Sequence, residues 1–197
     1  MRKSIGICVL MMTLLLSACG GTGGETGPQE EALTIRGEYL AATGCRTRMD
    51  VTADYGQRVY TYTVDVVVDG EETLLTVAAP DEVAGITARL TGTNSWLEYD
   101  GAVLETGPLD EDGLTALGAV PALLESARSG FMDSCVPEPL GERDALRVLC
   151  RDPSVPSGQG RETILWFDRN THELVQGEIL VDGYRVILCE IEVFSLL

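Results

Sequence analysis

One histidine, 31 acidic side chains and a handful of cysteines are the groups in this sequence that could do chemistry. A serine nucleophile would need a serine within hydrogen-bond reach of His172, and no Gly-x-Ser-x-Gly elbow occurs. His172 falls in a polar run between Asp168 and Glu173, where a solvated turn residue is the ordinary occupant. Glycoside hydrolysis needs two carboxyl groups facing each other across a cleft. Here most acids fall on the polar positions of alternating runs or in turns, the pattern of a solvated face. Asp110-Glu111-Asp112-Gly113 lacks the spaced oxygens and distal bidentate Glu of a calcium loop. It reads as the cap and first-turn acids of a following helix. No glycine-rich phosphate loop and no basic aromatic patch occurs. The expectation is a non-enzymatic protein with no catalytic residue, no metal ligand and no cofactor.

The cysteines have two kinds of reading. Cys45, Cys135, Cys150 and Cys189 contain no Cys-x-x-Cys, which disfavours a zinc ribbon or a redox motif. Outside the cytoplasm four cysteines allow three pairings. The short-range pair Cys135–Cys150 leaves Cys45–Cys189, and closing the shorter loop would stabilise by about 3 kcal/mol in the chain-entropy model. Four reduced, buried thiols are the alternative.

Cys19 stands apart. Arg2 and Lys3 open the chain, residues 5–16 are apolar and uncharged, and Ser17-Ala18 lead into Cys19-Gly20. That apolar run is short of the ~20 residues a membrane span needs, so residues 1–18 read as a cleaved signal peptide. Leu16-Ser17-Ala18-Cys19 resembles the lipobox of bacterial lipoproteins, which implies a diacylglyceryl group on Cys19 and cleavage just before it. Two or more acyl chains hold a protein stably on a membrane. Residues 20–31 follow as a tether with five glycines among twelve residues, and residues 32–197 are long enough for one domain.

Beyond residue 18 the chain carries 31 acids against 12 bases, a net charge of −19, and every base there is arginine. Such a surface repels phosphate backbones, so nucleic acid is excluded as a partner. The expected location is the outer face of the cytoplasmic membrane, anchored by lipid.

The elements follow from the period of the apolar residues. Ala32, Leu33, Ile35, Tyr39 and Leu40 recur at helical spacing over residues 32–42. From residue 45 the period becomes two, predicting strands over 45–53, 59–69, 73–79, 86–91, 95–99 and 102–106. Asp69-Gly70, Asp100-Gly101 and Asp182-Gly183 are hairpin signals. Residues 114–128 return to helical spacing through Leu117, Val120, Leu123 and Leu124, with Pro121 as a kink or a new first turn. Residues 131–142 read as loop, and strands follow over 145–151, 162–168, 173–181 and 184–194. Antiparallel strands with one apolar face must cover it. The fold class is α+β: a strongly curved antiparallel sheet, an unclosed β-barrel, covered by two or three helices.

The run from Thr163-Ile164-Leu165-Trp166-Phe167-Asp168-Arg169-Asn170-Thr171 through Val181-Asp182-Gly183-Tyr184 puts an aromatic-x-Asp at a strand end, then x-x-Thr, a returning strand and a Gly turn. This pattern, with the order of elements over residues 33–194, resembles the lipoprotein-carrier (LolA-like) superfamily. Within it the chain is most similar to membrane-anchored germination-type (GerS-like) lipoproteins of clostridial bacteria. The resemblance implies a half-barrel that binds a partner protein in envelope or spore-wall (germination) processing. A protein held by its own lipid cannot ferry cargo across a periplasm, so binding is expected at the membrane.

The concave face is the remaining candidate site. Met49, Val51, Tyr60, Tyr62, Val64, Val66, Trp96, Leu165 and Phe167 are its expected lining, with Leu117, Val120 and Leu124 closing over them. They form either a filled core or a cavity for a lipid or acyl chain. Trp166 alternates with Leu165 and Phe167, so it faces away and is a candidate partner-binding surface. The sequence ranks a binding module for a protein partner first and a hydrophobic-ligand carrier second.

Overall fold

The computed structural model describes residues 27–92, 94–107 and 113–197. The signal peptide, Cys19 and most of the tether lie outside the described residues. Chain order is α1 (Pro28–Ala41), β1 (Gly44–Asp54), β2 (Val59–Asp69), β3 (Glu72–Ala79), β4 (Thr87–Thr91), β5 (Asn94–Tyr99), β6 (Ala102–Glu105), α2 (Ala116–Ser129), β7 (Met132–Pro137), β8 (Ala145–Arg151), β9 (Arg161–Asp168), β10 (Leu174–Val181) and β11 (Tyr184–Leu196).

The eleven strands form one antiparallel sheet in the order β6-β5-β4-β3-β2-β1-β11-β10-β9-β8-β7. β1 pairs with β11, so the first and last strands meet at the centre. β6 and β7 are the two edges and do not pair with each other, which leaves the barrel unclosed. The chain crosses from one edge to the other through α2, and α2 packs on the concave side. The expected α+β half-barrel is therefore the observed architecture, with two helices on it.

Turn chemistry explains the hairpins. Asp100-Gly101 and Asp182-Gly183 both have two positive φ angles, as a two-residue primed turn demands. At the first hairpin the register is offset: Asp69 pairs with Glu72, so Gly70 and Glu71 are the central residues. Only Gly70 then needs positive φ, at 60°.

Three elements depart from expectation. Helix α1 starts at Pro28, an N-terminal position its fixed φ favours, so the last four residues of the predicted tether are helical. Helix α2 is capped by Thr115, whose hydroxyl accepts from the Gly118 N–H, and its first turn carries no acid. The acids Asp110 to Asp112 lie outside the described residues, and Pro121 sits inside the helix rather than starting it. Residues 132–137, read as loop, form edge strand β7, where Pro137 stands at the end of the strand.

Candidate functional site

Helices α1 and α2 fill only one half of the trough. Helix α1 buries Ala32, Ile35 and Tyr39. The Tyr39 ring meets Phe167 edge-on at 5.3 Å and stacks on Phe194 at 5.8 Å. Its hydroxyl donates to the His172 carbonyl at 3.2 Å and accepts from the Leu174 N–H at 2.8 Å. Burial pushes this phenol far above its ordinary range. Arg36 donates to the carbonyls of Ala127 and Gly130 at the end of α2, and Arg128 donates to the Tyr39 carbonyl. Arg169 clamps Glu31 through Nε and Nη2 and reaches Asp144 through Nη1. Met49, Val51, Val66, Val120, Leu124, Leu165 and Phe167, all expected to line the concave face, are packed into this solid core.

The other half is open. A cavity of about 320 Å³ lies under the N-terminal end of α2. Val64, Val77 and Leu97 come from β2, β3 and β5, Val83 and Ile86 from the turn before β4, and Thr115, Ala116 and Leu117 from the helix start. Three tyrosines stand at its mouth. Tyr55 and Tyr60 are 49% and 37% exposed, their rings 6.2 Å apart, and Tyr60 stacks on Tyr62 at 6.4 Å. The Tyr55 hydroxyl donates to the Leu114 carbonyl at 2.8 Å, tying the β1–β2 turn to the entrance of α2. Among the described residues no charged side chain lines the cavity. Its polar groups are the hydroxyls of Tyr55, Tyr60, Tyr62 and Thr115, and the rest of the wall favours taking an apolar group out of water.

Of the residues expected to line the concave face, Tyr60, Tyr62, Val64 and Leu117 stand at the cavity wall. Trp96 is a correction. Ser95 is buried and Leu97 faces the cavity, so alternation turns Trp96 to the outer face opposite Arg89. Val77, Val83, Ile86 and Leu97 are absent from the expected lining, although Val77 and Leu97 sit on strands that the alternation predicts. Trp166 does face away from the trough, yet it is only 5% exposed. A second small core of Ala145, Ile164 and Val175, flanked by Leu140, encloses it. Its Nε1 donates to Glu138 at 3.2 Å, and the Arg147 guanidinium lies 5.7 Å from its ring. A covered tryptophan cannot be a docking hot spot.

The cysteines are corrected too. All four are free thiols. Cys45 stands opposite Leu196 and Cys189 opposite Val51, which separates them by roughly 20 Å along the sheet and rules out a bridge. Cys135 lies opposite Val148 and Cys150 opposite Met132, so neither faces the other across the ladder. Burial pushes the thiols of Cys45 and Cys150 up to about 11 and that of Cys189 up to about 12. The Nδ1 of His172 lies 2.9 Å from the Glu38 carboxylate, which ties the β9–β10 turn to α1. Among the described residues no group of three or more His, Cys, Asp or Glu could hold a metal ion, and no helix is long and apolar enough to cross a membrane.

The fold has solved counterparts. The backbone is similar to that of an uncharacterized conserved protein from Thermus thermophilus, at 11% identity, a TM-score of 0.51, and 86% of this chain covering 87% of that one. Looser superpositions include a LolA superfamily protein from Nitrosomonas europaea (13% identity, TM-score 0.42, 84% of this chain and 93% of that one). The GerS lipoprotein of Clostridioides difficile, solved with the CwlD amidase, is another (10% identity, TM-score 0.44, 89% and 99%). At these identities the likeness concerns the fold alone. No protein-family model matches the sequence, and no curated protein matches it.

Proposed function

We propose that this chain is a membrane-tethered, extracytoplasmic binding lipoprotein whose half-filled trough holds an apolar ligand, an acyl chain or lipid, without reacting with it. One observation carries the reading. The cavity of about 320 Å³ is walled, among the described residues, by uncharged side chains and reaches the ~300 Å³ at which small-molecule sites begin. A packed interior would have favoured a protein partner, so the cavity reverses the order in which the sequence alone ranks the two readings. The Cys19 lipobox supports the tether. The test is solvent extraction of the purified full chain, with mass spectrometry of the non-covalent lipid. Near one lipid per chain is expected, lost in Val83→Trp, which fills the cavity from its rim. A clean extract from the wild-type chain refutes the ligand.

A protein partner in envelope or spore-wall processing is the second reading, and the β6 edge favours it. Val103 and Leu104 there are 64% and 63% exposed. An edge strand offers unpaired peptide groups and side-chain contacts to an incoming strand. Replacing Val103 and Leu104 by charged residues and comparing captured proteins would test this surface separately from the cavity.

A further inference from the structure

A second pocket, of about 340 Å³, opens at the opposite end of α2, where Ser126 and Gly130 meet the ends of β8 and β9. Its character is different. Arg151, Asp152 and Arg161 are its charged lining residues, and the Nε of each arginine is buried without a hydrogen-bond partner. A buried guanidinium N–H left unpaired is costly, and in this chain it is conspicuous, because 31 acids are available against 14 bases.

Arg151 is largely engaged, its Nη1 donating to the carbonyls of Val155 at 2.6 Å and Asp152 at 3.3 Å, whereas no carboxylate pairs with Arg161 among the described residues. Asp133 takes Nη2 of Arg151 at 2.6 Å. Asp152 accepts from the backbone N–H and the hydroxyl of Ser154. Glu162 accepts from the Gly158 N–H at 2.7 Å, and Asp182 from the Gly160 N–H at 2.8 Å. The side chain of Arg161, a half-buried residue, is left with no hydrogen bond or ion pair among the described residues, its Nε included. Beside it, Ser126 donates to Thr163 at 3.2 Å, which places two hydroxyls on the same wall. Phe131 and Val155 form an apolar rim.

The geometry points to an anion-binding site: Arg161, supported by Arg151, receives an oxyanion, phosphate or carboxylate, carried on a compact organic body that packs on Phe131. A guanidinium fork suits either oxyanion through paired N–H donors, and the volume exceeds what a bare inorganic ion fills. The site is separate from the apolar cavity and stands whether or not that cavity holds lipid.

The test is NMR of the arginine Nε–H signals of the full chain in detergent micelles, titrated with phenyl phosphate and, separately, with benzoate, against sodium chloride at equal ionic strength. A saturable shift of the Arg161 signal by one probe is expected, identifying which oxyanion is preferred. Arg161→Gln weakens that binding at least tenfold, and Arg46→Gln, on an exposed side chain elsewhere, leaves it unchanged. If Arg161→Gln fails to fold, Arg161→Lys and the wild-type titration decide. Non-saturating shifts with both probes up to millimolar concentration, shifts matched by chloride, or equal loss in Arg46→Gln would overturn the site.

Discussion

Gly177 of β10 lies directly under Leu123 of α2, so close that a Cβ at position 177 would stand 2.5 Å from Leu123 Cδ1. Leu123 is fully buried, and the absence of a side chain at 177 sets how deeply α2 sinks into the trough. Gly177→Ala should lift the helix and cost about 1–3 kcal/mol through overpacking, read as a lower urea midpoint at unchanged m-value. Leu123→Ala is destabilising alone, but the double variant should lose less than the sum of the two singles. Strict additivity would show that the contact is not tight.

The sheet was legible because its period of two survives in the sequence, and the Asp-Gly turns mark where it folds back. What was hidden is non-local. Strand β7 carries Asp133, Ser134 and a terminal proline, and its pairing with β8 rather than its own propensity makes it a strand. In β5 both Trp96 and Leu97 are apolar, so alternation within six residues cannot choose the inward one, and only the register with β4 does. The cysteine pairing failed for the same reason, since no local signal states that Cys45 sits across from Leu196. The half-filled trough was equally invisible, because it depends on where α2 lands.

Tyr39 ties α1 to the β9–β10 turn through one hydroxyl that both donates and accepts. Tyr39→Phe keeps the ring contacts with Phe167 and Phe194 but strands the buried Leu174 N–H. A loss of about 1–3 kcal/mol is expected, with faster hydrogen exchange at Leu174. Unchanged exchange there would mean that another acceptor takes the N–H.

The thiols make a chemical prediction. Burial raises the Cys189 thiol to about 12 and those of Cys45 and Cys150 to about 11, so little thiolate exists at about pH 8. Maleimide labelling of the native chain should reach Cys135, which is only partly buried, well before the other three. All four should label in denaturant without a reductant, and a peptide joining Cys45 to Cys189 would contradict the β1–β11 register.

The aromatic-x-Asp that closes β9 has a physical job that acid should reveal. The Asp168 carboxylate accepts from the N–H groups of Asn170 at 2.8 Å and Thr171 at 3.2 Å. These donors hold its pKa below the ordinary 3.8. They brace the turn in which His172 takes a left-handed φ of 61° and its N–H returns to the Asp168 carbonyl at 2.8 Å. A carboxyl that ionises more readily when folded stabilises the fold fully above its unfolded pKa. That contribution drains away as pH falls through the lower folded value. Asp168→Asn keeps an acceptor oxygen but loses the charge. It should therefore lower Tm near neutrality and flatten the fall of Tm below about pH 4, since one fewer proton is taken up on unfolding. Melting curves of the two chains that run parallel from neutral to acid pH would show that Asp168 does not hold the turn as an anion.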